Sequence, residues 1–321
     1  MNPKLTFSVK PLPSLAELEL GDGCTTKERT AIFWVCALGP AQGAIRKFAL
    51  VGDSHAGHWR AALSSLAYAA RWRGYSITRA GCPLTTAVPD LVPALRAQCL
   101  AWNRRVRVWL TEHPEVNLVF ISEHSGAGVV VPKGQDQVAA KVAGYTAAWA
   151  ALPPTVEHII VIRDTPLNTS RTLGCVERAI ARHQQAGVVC AVPRSFAVRP
   201  DPEVAAADRL ASKRVQVADL TPFLCNPRFC PPVIGGVLVH KDVNHLTSEF
   251  SATLGPFLLR EVERLMSIGS WGAPTASPPP APPTTTAPPA QPTASPPPAP
   301  PTATVPPAQP TDTAPPAPPA G

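Results

Sequence analysis

The 321-residue sequence contains no run of about 20 uncharged apolar residues, so no segment of this chain is expected to span a membrane as a helix. Its first residues, MNPKLTFSVKPLPS, lack the uninterrupted apolar core of a secretion signal. No CxxC pair occurs, and none of the eight cysteines has a histidine beside it at zinc-ligand spacing, so the usual signature of a structural zinc site is missing. A Lys/Arg block is missing too. The densest basic run, Arg104, Arg105 and Arg107, is interleaved with apolar residues at helical spacing and reads as a solvated helix face, so no nucleic-acid partner is expected. Acidic residues number 22 against 29 Lys and Arg, which excludes an acidic, ion-buffering protein. Beyond Trp271 charge almost disappears: Asp312 is the only charged residue there, while 21 of the 41 prolines fall in that stretch.

What is present divides the chain unevenly. Residues 269–321 are rich in Pro, Ala and Thr and repeat PTASPPPAPP at Pro274–Pro283 and Pro292–Pro301, a composition that cannot bury a core and predicts a disordered, polyproline-like tail. Residues 1–46 read as an irregular, cysteine-clipped lead-in, and residues 47–268 as the folded body, far above the size at which a core becomes marginal. The eight cysteines fall into sequence-neighbour pairs: Cys24 with Cys36, Cys82 with Cys99, Cys175 with Cys190, and Cys225 with Cys230. Four short disulfide loops are the expectation, and disulfides imply an oxidising, extracytoplasmic compartment. That expectation conflicts with the missing signal, and the chain is therefore read as a piece of a longer membrane-tethered protein or as one with a mis-assigned start.

Periodicity along the body alternates. Phe48–Val51, closed by Gly52, reads as a strand buried on both faces. Trp59, Leu63, Leu66 and Ala70 follow at helical spacing until Gly74. Further strands are expected at 76–79, 117–121, 158–162 and 215–220, and helices at 95–110, 138–151, 175–185 and 247–266, the last with Pro256 inside it. Strands alternating with helices mean parallel crossovers, so the predicted fold is α/β, a three-layer sandwich with about five parallel strands, flavodoxin-like and clipped by disulfides.

Two segments carry the chemistry. Gly52-Asp53-Ser54-His55 places a serine just past a buried strand and just before a helix, where backbone N–H groups converge beside its hydroxyl, although Asp53 and Ser54 could also simply cap that helix. Asp242-Val243-Asn244-His245 places an Asp three residues ahead of a His in a loop before a helix, so that the carboxylate can hold the imidazole tautomer that accepts a serine proton. Among the other polar residues, His58 is expected on the surface, His55 to play no catalytic part, and Asp164-Thr165-Pro166 to form either a pocket edge or an ordinary turn. Trp59, Trp102 and Trp109 are expected in the core.

Together the two segments resemble the SGNH (GDSL-like) hydrolase superfamily. The layout from Cys24 to about Leu265 resembles more narrowly the extracytoplasmic SGNH domain associated with acyltransferase-3 membrane O-acyltransferases. The matching blocks are GDSHA at Gly52–Ala56, Gly81-Cys82-Pro83, Cys99-Leu100-Ala101-Trp102, Asp164-Thr165-Pro166, the Cys225 and Cys230 pair, and DxxHL at Asp242–Leu246. The resemblance implies Ser54 as nucleophile, His245 as general base and Asp242 as its orienting partner, with the Ser54 and Gly81 backbone N–H groups as the oxyanion hole. One block departs from the family. Where a member usually has GxND, whose Asn completes the hole, this chain reads Ile121-Ser122-Glu123-His124-Ser125-Gly126; His124 or Ser122 could stand in, a structural loop being the competing reading.

The function so implied is O-acyl, in the first place O-acetyl, transfer to a cell-surface or exported glycan through an acyl-serine intermediate. A membrane acyltransferase-3 domain would deliver the acyl donor, a glycan would accept, and no cofactor or metal is called for. A carbohydrate or lipid esterase using the same Ser-His-Asp triad, and a non-catalytic glycan-binding module, are the competing readings.

Overall fold

The run Phe48–Val51 sits at the centre of the molecule because its alternate side chains feed two different cores. In the computed structural model, which describes residues 8–17 and 25–266, Phe48 and Leu50 face one apolar cluster and Ala49 and Val51 face another. The strands beside it repeat the pattern, with Leu118, Phe120, Ile160 and Ile162 on the first face and Val119, Ile121, Ile159 and Val161 on the second. A strand apolar on both faces can only be stable with helices on both sides, which makes three layers.

The strands in chain order are β1 (Thr25–Arg29), β2 (Trp34–Leu38), β3 (Arg46–Gly52), β4 (Trp72–Thr78), β5 (Val116–Ser122), β6 (His158–Ile162), β7 (Val192–Pro193), β8 (Val215–Ala218), β9 (Phe229–Cys230), β10 (Val233–Ile234) and β11 (Val237–Leu238). The main sheet has the order β1-β2-β4-β3-β5-β6-β8. Its five strands from β4 to β8 are parallel, while β1 and β2 join antiparallel at one edge. The chain thus reverses direction across the sheet beside β3, and ligands of doubly wound sheets bind outside the carboxyl ends of strands at such a switch point. β7 pairs with β9 and β10 with β11 in separate two-stranded ribbons.

The helices are α1 (Ser54–Gly57), α2 (Arg60–Ala70), α3 (Pro93–Glu112), α4 (Gln137–Ala150), α5 (Thr172–Ala181), α6 (Ala186–Val189), α7 (Arg194–Ala197), α8 (Pro202–Leu210), α9 (Thr221–Leu224) and α10 (Ser248–Met266). Helices α2 and α10 cover the first face, with Leu63, Leu66, Leu254 and Leu258 in its cluster. Their backbones approach closely at Gly255, where a Cβ would lie 2.8 Å from the Ala62 carbonyl oxygen. Helices α3, α4 and α8 cover the second face through Trp102, Val106, Trp149 and Ala206. Trp59, Trp102 and Trp109 are all buried.

The expected α/β architecture with five parallel strands is what the chain adopts, with three differences. The lead-in is not irregular throughout: residues 25–38 form the β1–β2 hairpin that widens the sheet. The helix expected to run to Gly74 ends at Ala70, with Arg71 in the left-handed conformation as its cap. Gly74 lies inside β4 instead, where the ring of Phe48 occupies the space a side chain would need. Disulfides join Cys82 to Cys99, Cys175 to Cys190 and Cys225 to Cys230, as expected, closing loops with sequence separations of 17, 15 and 5. The pairing of Cys24 with Cys36 and the proline-rich tail lie outside the described residues.

The fit at Gly74 generates a stability prediction. A methyl group there must displace a fully buried phenyl ring, and overpacking of this kind costs about 1–3 kcal/mol. Gly74→Ala is therefore expected to lower the unfolding free energy by that amount, seen as a lower urea midpoint at an unchanged m-value, and an unshifted midpoint would refute the close packing of Phe48 on β4.

Candidate active site

At the carboxyl end of β3 the backbone must turn sharply. Gly52 has φ +145°, and a Cβ there would run into the Ser122 carbonyl oxygen and the side chain of Ala56, so only glycine fits. Asp53 follows as N-cap of α1, its Oδ1 accepting the His55 N–H at 2.7 Å. This Asp is not a surface cap. It is buried, its Oδ2 accepts the His124 N–H at 3.0 Å, and its own N–H donates to Glu123 Oε2 at 2.9 Å. Ser54 is thereby fixed as the first residue of α1.

The second segment arrives from the other end of the folded body. Between the isolated bridge of His240 with Leu246, residues 241–245 form a tight loop just ahead of α10. Asp242 Oδ1 accepts the N–H groups of Asn244 at 2.9 Å and His245 at 2.8 Å, and Oδ2 accepts a hydrogen bond from His245 Nδ1–H at 2.8 Å. With Nδ1 committed to the carboxylate, Nε2 is the basic nitrogen, and it lies 2.9 Å from Ser54 Oγ. Burial alone would raise the Asp242 pKa, but these three hydrogen bonds and the neighbouring imidazole outweigh it and hold the carboxyl below its ordinary range. The His245 and Asp242 side chains are 21% and 40% exposed, so solvent reaches them.

The three residues expected from sequence, Ser54, His245 and Asp242, thus form one continuous hydrogen-bonded chain. Gly81 lies in the turn after β4 with φ +67° and open space where a Cβ would be. That turn is held to the Ser54 segment by the Arg79 N–H, which donates to the Gly52 carbonyl at 2.9 Å, and to α3 by the Cys82–Cys99 disulfide.

Several side chains behave otherwise than expected. His58, predicted on the surface, is fully buried at the junction of α1 and α2, where its ring packs against those of His55 and Trp59. Its pKa is well below the ordinary value, by burial first and by the charges of His55 and His245 second. Ser122 is buried, and its hydroxyl has no hydrogen-bond partner among the described residues. His124 is partly exposed, stacks on His55 with centroids 4.5 Å apart, and places Nε2 3.3 Å from Asn244 Nδ2.

Sequence reasoning missed Glu123, which occupies the block where the family pattern has GxND. Its buried carboxylate bridges two loops, accepting the Asp53 N–H at 2.9 Å and the Leu84 N–H at 2.7 Å. Its own N–H donates to Glu203 Oε2 at 2.8 Å. Burial, with Asp53 nearby, raises the Glu123 pKa well above the ordinary value, and burial beside Glu123 does the same to Glu203. An acidic residue two positions past the apolar run Leu118–Ile121 was the available signal. Asp164, noted as a pocket or turn residue, is a buried hub: Oδ1 lies 2.6 Å from His55 Nδ1, and Oδ2 accepts the Ser125 N–H at 2.8 Å. Among the described residues no group of three or more His, Cys, Asp or Glu side chains is arranged to hold a metal ion.

A family model described as "SGNH domain (fused to AT3 domains)" matches residues 23–260. No curated protein sequence matches the chain. Among solved structures, the periplasmic domain of the lipopolysaccharide acetyltransferase of Salmonella ser. Paratyphi A is similar over 68% of this chain and 82% of that one, at 14% identity and a TM-score of 0.49, a distance at which the likeness carries no argument.

His240, at the start of the Asp242 loop, yields a pH prediction. It is buried with neither ring nitrogen partnered among the described residues, and burial lowers its pKa from 6.5 to about 4. A lowered histidine pKa means the unfolded chain takes up a proton that the folded chain refuses, so stability falls as pH drops from 6.5 toward 4. His240→Gln removes that proton. Its unfolding free energy is expected to decline less steeply than that of the parent over this window, by about 1.4 kcal/mol per pH unit. Parallel denaturation curves at several pH values check this, and equal slopes would contradict it.

Proposed function

The chain belongs to the family of SGNH domains fused to AT3 domains, and from that premise we propose that it is a serine-dependent O-acyltransferase that acts outside the cytoplasm on a cell-surface or exported glycan. The observation that carries this reading is the chain Ser54 Oγ to His245 Nε2 at 2.9 Å and His245 Nδ1 to Asp242 Oδ2 at 2.8 Å. The three disulfides support an oxidising compartment. Among the described residues no helix is long and apolar enough to cross a membrane, so the proposal assigns delivery of the acyl donor to a membrane acyltransferase-3 domain.

In the proposed mechanism His245 Nε2 takes the Ser54 hydroxyl proton as Oγ attacks the donor carbonyl. The carbonyl oxygen becomes an oxyanion beside the backbone N–H groups of Ser54 and Gly81. Collapse expels the donor's leaving group, which takes the proton from His245 and leaves acyl-Ser54. A glycan hydroxyl then gives its proton to Nε2 and attacks the acyl carbon, and the proton returns to Ser54 Oγ. Asp242 keeps Nδ1 protonated throughout and stabilises the imidazolium without itself accepting the proton.

An esterase with water as acceptor is the second reading, and the exposure of His245 and Asp242 favours it, since an open site admits water. The intact hydrogen-bonded chain argues against a binding module with a decayed triad.

With a p-nitrophenyl acetate reporter, Ser54→Ala and His245→Ala are expected to lose at least ~10⁴-fold in kcat/KM with unchanged melting temperature, and Asp242→Asn to retain roughly tenfold more activity than either. Adding surface-glycan oligosaccharides is expected to speed breakdown of acyl-Ser54 saturably and to give O-acylated sugar by mass spectrometry. Wild-type turnover in Ser54→Ala would sink the acyl-serine mechanism. Free acid as sole product with every glycan would replace transfer by hydrolysis.

A further inference from the structure

The Ser54–His245 hydrogen bond joins segments 191 residues apart, one on a four-residue helix and the other in a five-residue loop. Nucleophile and base must be held to a few tenths of an ångström, because a 1 Å misplacement can cost ~100-fold in rate. Something has to connect the two segments rigidly.

We propose that His55 and Asp164 are positioning residues whose buried contact locks the Ser54 turn to the loop that carries His245. The proposal rests on the acyl-serine reading above. His55 follows Ser54 directly, and its Nδ1 lies 2.6 Å from Asp164 Oδ1, with the two side chains 1% and 3% exposed. Asp164 sits just past the end of β6, and its neighbours reach the other segment. The Thr165 hydroxyl donates to the Asn244 carbonyl at 3.2 Å, the Asn168 N–H donates to the Val243 carbonyl at 2.7 Å, and the Asn168 amide reaches the Asp242 carbonyl at 3.4 Å. Asp164 also secures the intervening loop through the Ser125 N–H at 2.8 Å, and in that loop His124 contacts Asn244. One carboxylate therefore ties the loops after β3, β5 and β6 to the Asp242–His245 loop.

The pair is not arranged for stability alone. Burial opposes charge on His55, yet Asp164 outweighs it and raises the His55 pKa, while the Asp164 pKa is lowered despite its own burial. His55 Nε2 is buried with no partner among the described residues. Leaving a buried polar atom unpaired is costly, and an apolar pair of equal volume would avoid it. What such a pair could not supply is a directional link between the two segments. The His55 ring also stands 4.9 Å from that of His245, backing the imidazole so that it cannot swing away from Ser54.

The test uses the full chain, p-nitrophenyl acetate as reporter and a sulfonyl fluoride as Ser54 label. His55→Ala is expected to unfold cooperatively like the parent, with kcat and the labelling rate each about 100-fold lower and KM within about twofold. His55→Asn, which restores an N–H near the position of Nδ1, is expected to recover at least ~10-fold of the loss. If His55→Ala fails to fold, Asp164→Asn replaces it with the same expected loss. Ser54→Ala is run in parallel. If Ser54→Ala is inactive while a folded His55→Ala retains parental kcat and labelling rate, or if His55→Asn recovers nothing, the positioning role is overturned alone. If Ser54→Ala keeps its turnover, the acyl-serine reading fails and this proposal fails with it.

Discussion

The carboxyl end of the parallel sheet is held together by buried carboxylates that accept backbone N–H groups, and the rest of the site depends on that constraint. Loops leaving β3, β5 and β6 carry backbone donors into a region shielded from water, where an unpaired donor costs about 1–3 kcal/mol. Asp53 accepts from His55 and His124, Glu123 from Asp53 and Leu84, Asp164 from Ser125 and Thr165, Asp201 from Asp164 and Glu203, and Glu203 from Glu123. Four of these five side chains accept two backbone N–H groups each, in place of water. The loops therefore cannot move singly, which is what a preorganised site requires.

Packing five acids together raises an electrostatic problem that the structure meets in two ways. Burial raises the pKa of Glu123, Glu203, Asp53 and Asp201, and the backbone N–H groups they accept offset part of that rise. Asp164 goes the other way despite its burial, because His55 is in contact with it and lowers its pKa. The result is a gradient from raised pKa values behind the carboxyl end of the sheet to a lowered one at Asp164, beside Ser54 and His245. Asp242 continues it at the surface, where hydrogen bonds and not burial decide its charge.

The degree to which this was legible in the sequence follows from how local each feature is. β3 announces itself by a continuous apolar run, and Asp242 with His245 by a three-residue spacing within one loop. β1 was invisible because its residues, Thr25–Arg29, are polar and mostly exposed, so an edge strand carries no alternation to detect. Gly74 resembled a helix stop because a glycine shows a missing side chain but not which neighbour needs the space, and that neighbour, Phe48, lies on another strand. His58 is expected on the surface because a lone histidine on a first helical turn carries no sign that α1 ends and the chain turns at this residue. Glu123 and the His55–Asp164 contact were out of reach for a different reason: their partners lie 70, 39 and 109 residues away, and only the strand order brings them together.

The same openness that lets substrate reach His245 sets the terms on which the proposed transfer must operate. Water at ~55 M competes for any acyl-serine, and a site with the base one-fifth exposed does not exclude it. In the proposed scheme, delivery of the donor by a membrane domain would raise the effective concentration of the acyl group at Ser54, but it would do nothing for the second half-reaction. Partition toward sugar must come from a bound hydroxyl positioned at the acyl carbon, where effective molarities can reach ~10⁵ M and outweigh bulk water. Such positioning is useful only if the acyl-serine and His245 are themselves stationary. The requirement for transfer thus falls on the buried carboxylates behind the triad more heavily than on the triad itself, since hydrolysis tolerates a loose geometry that a competing sugar hydroxyl does not.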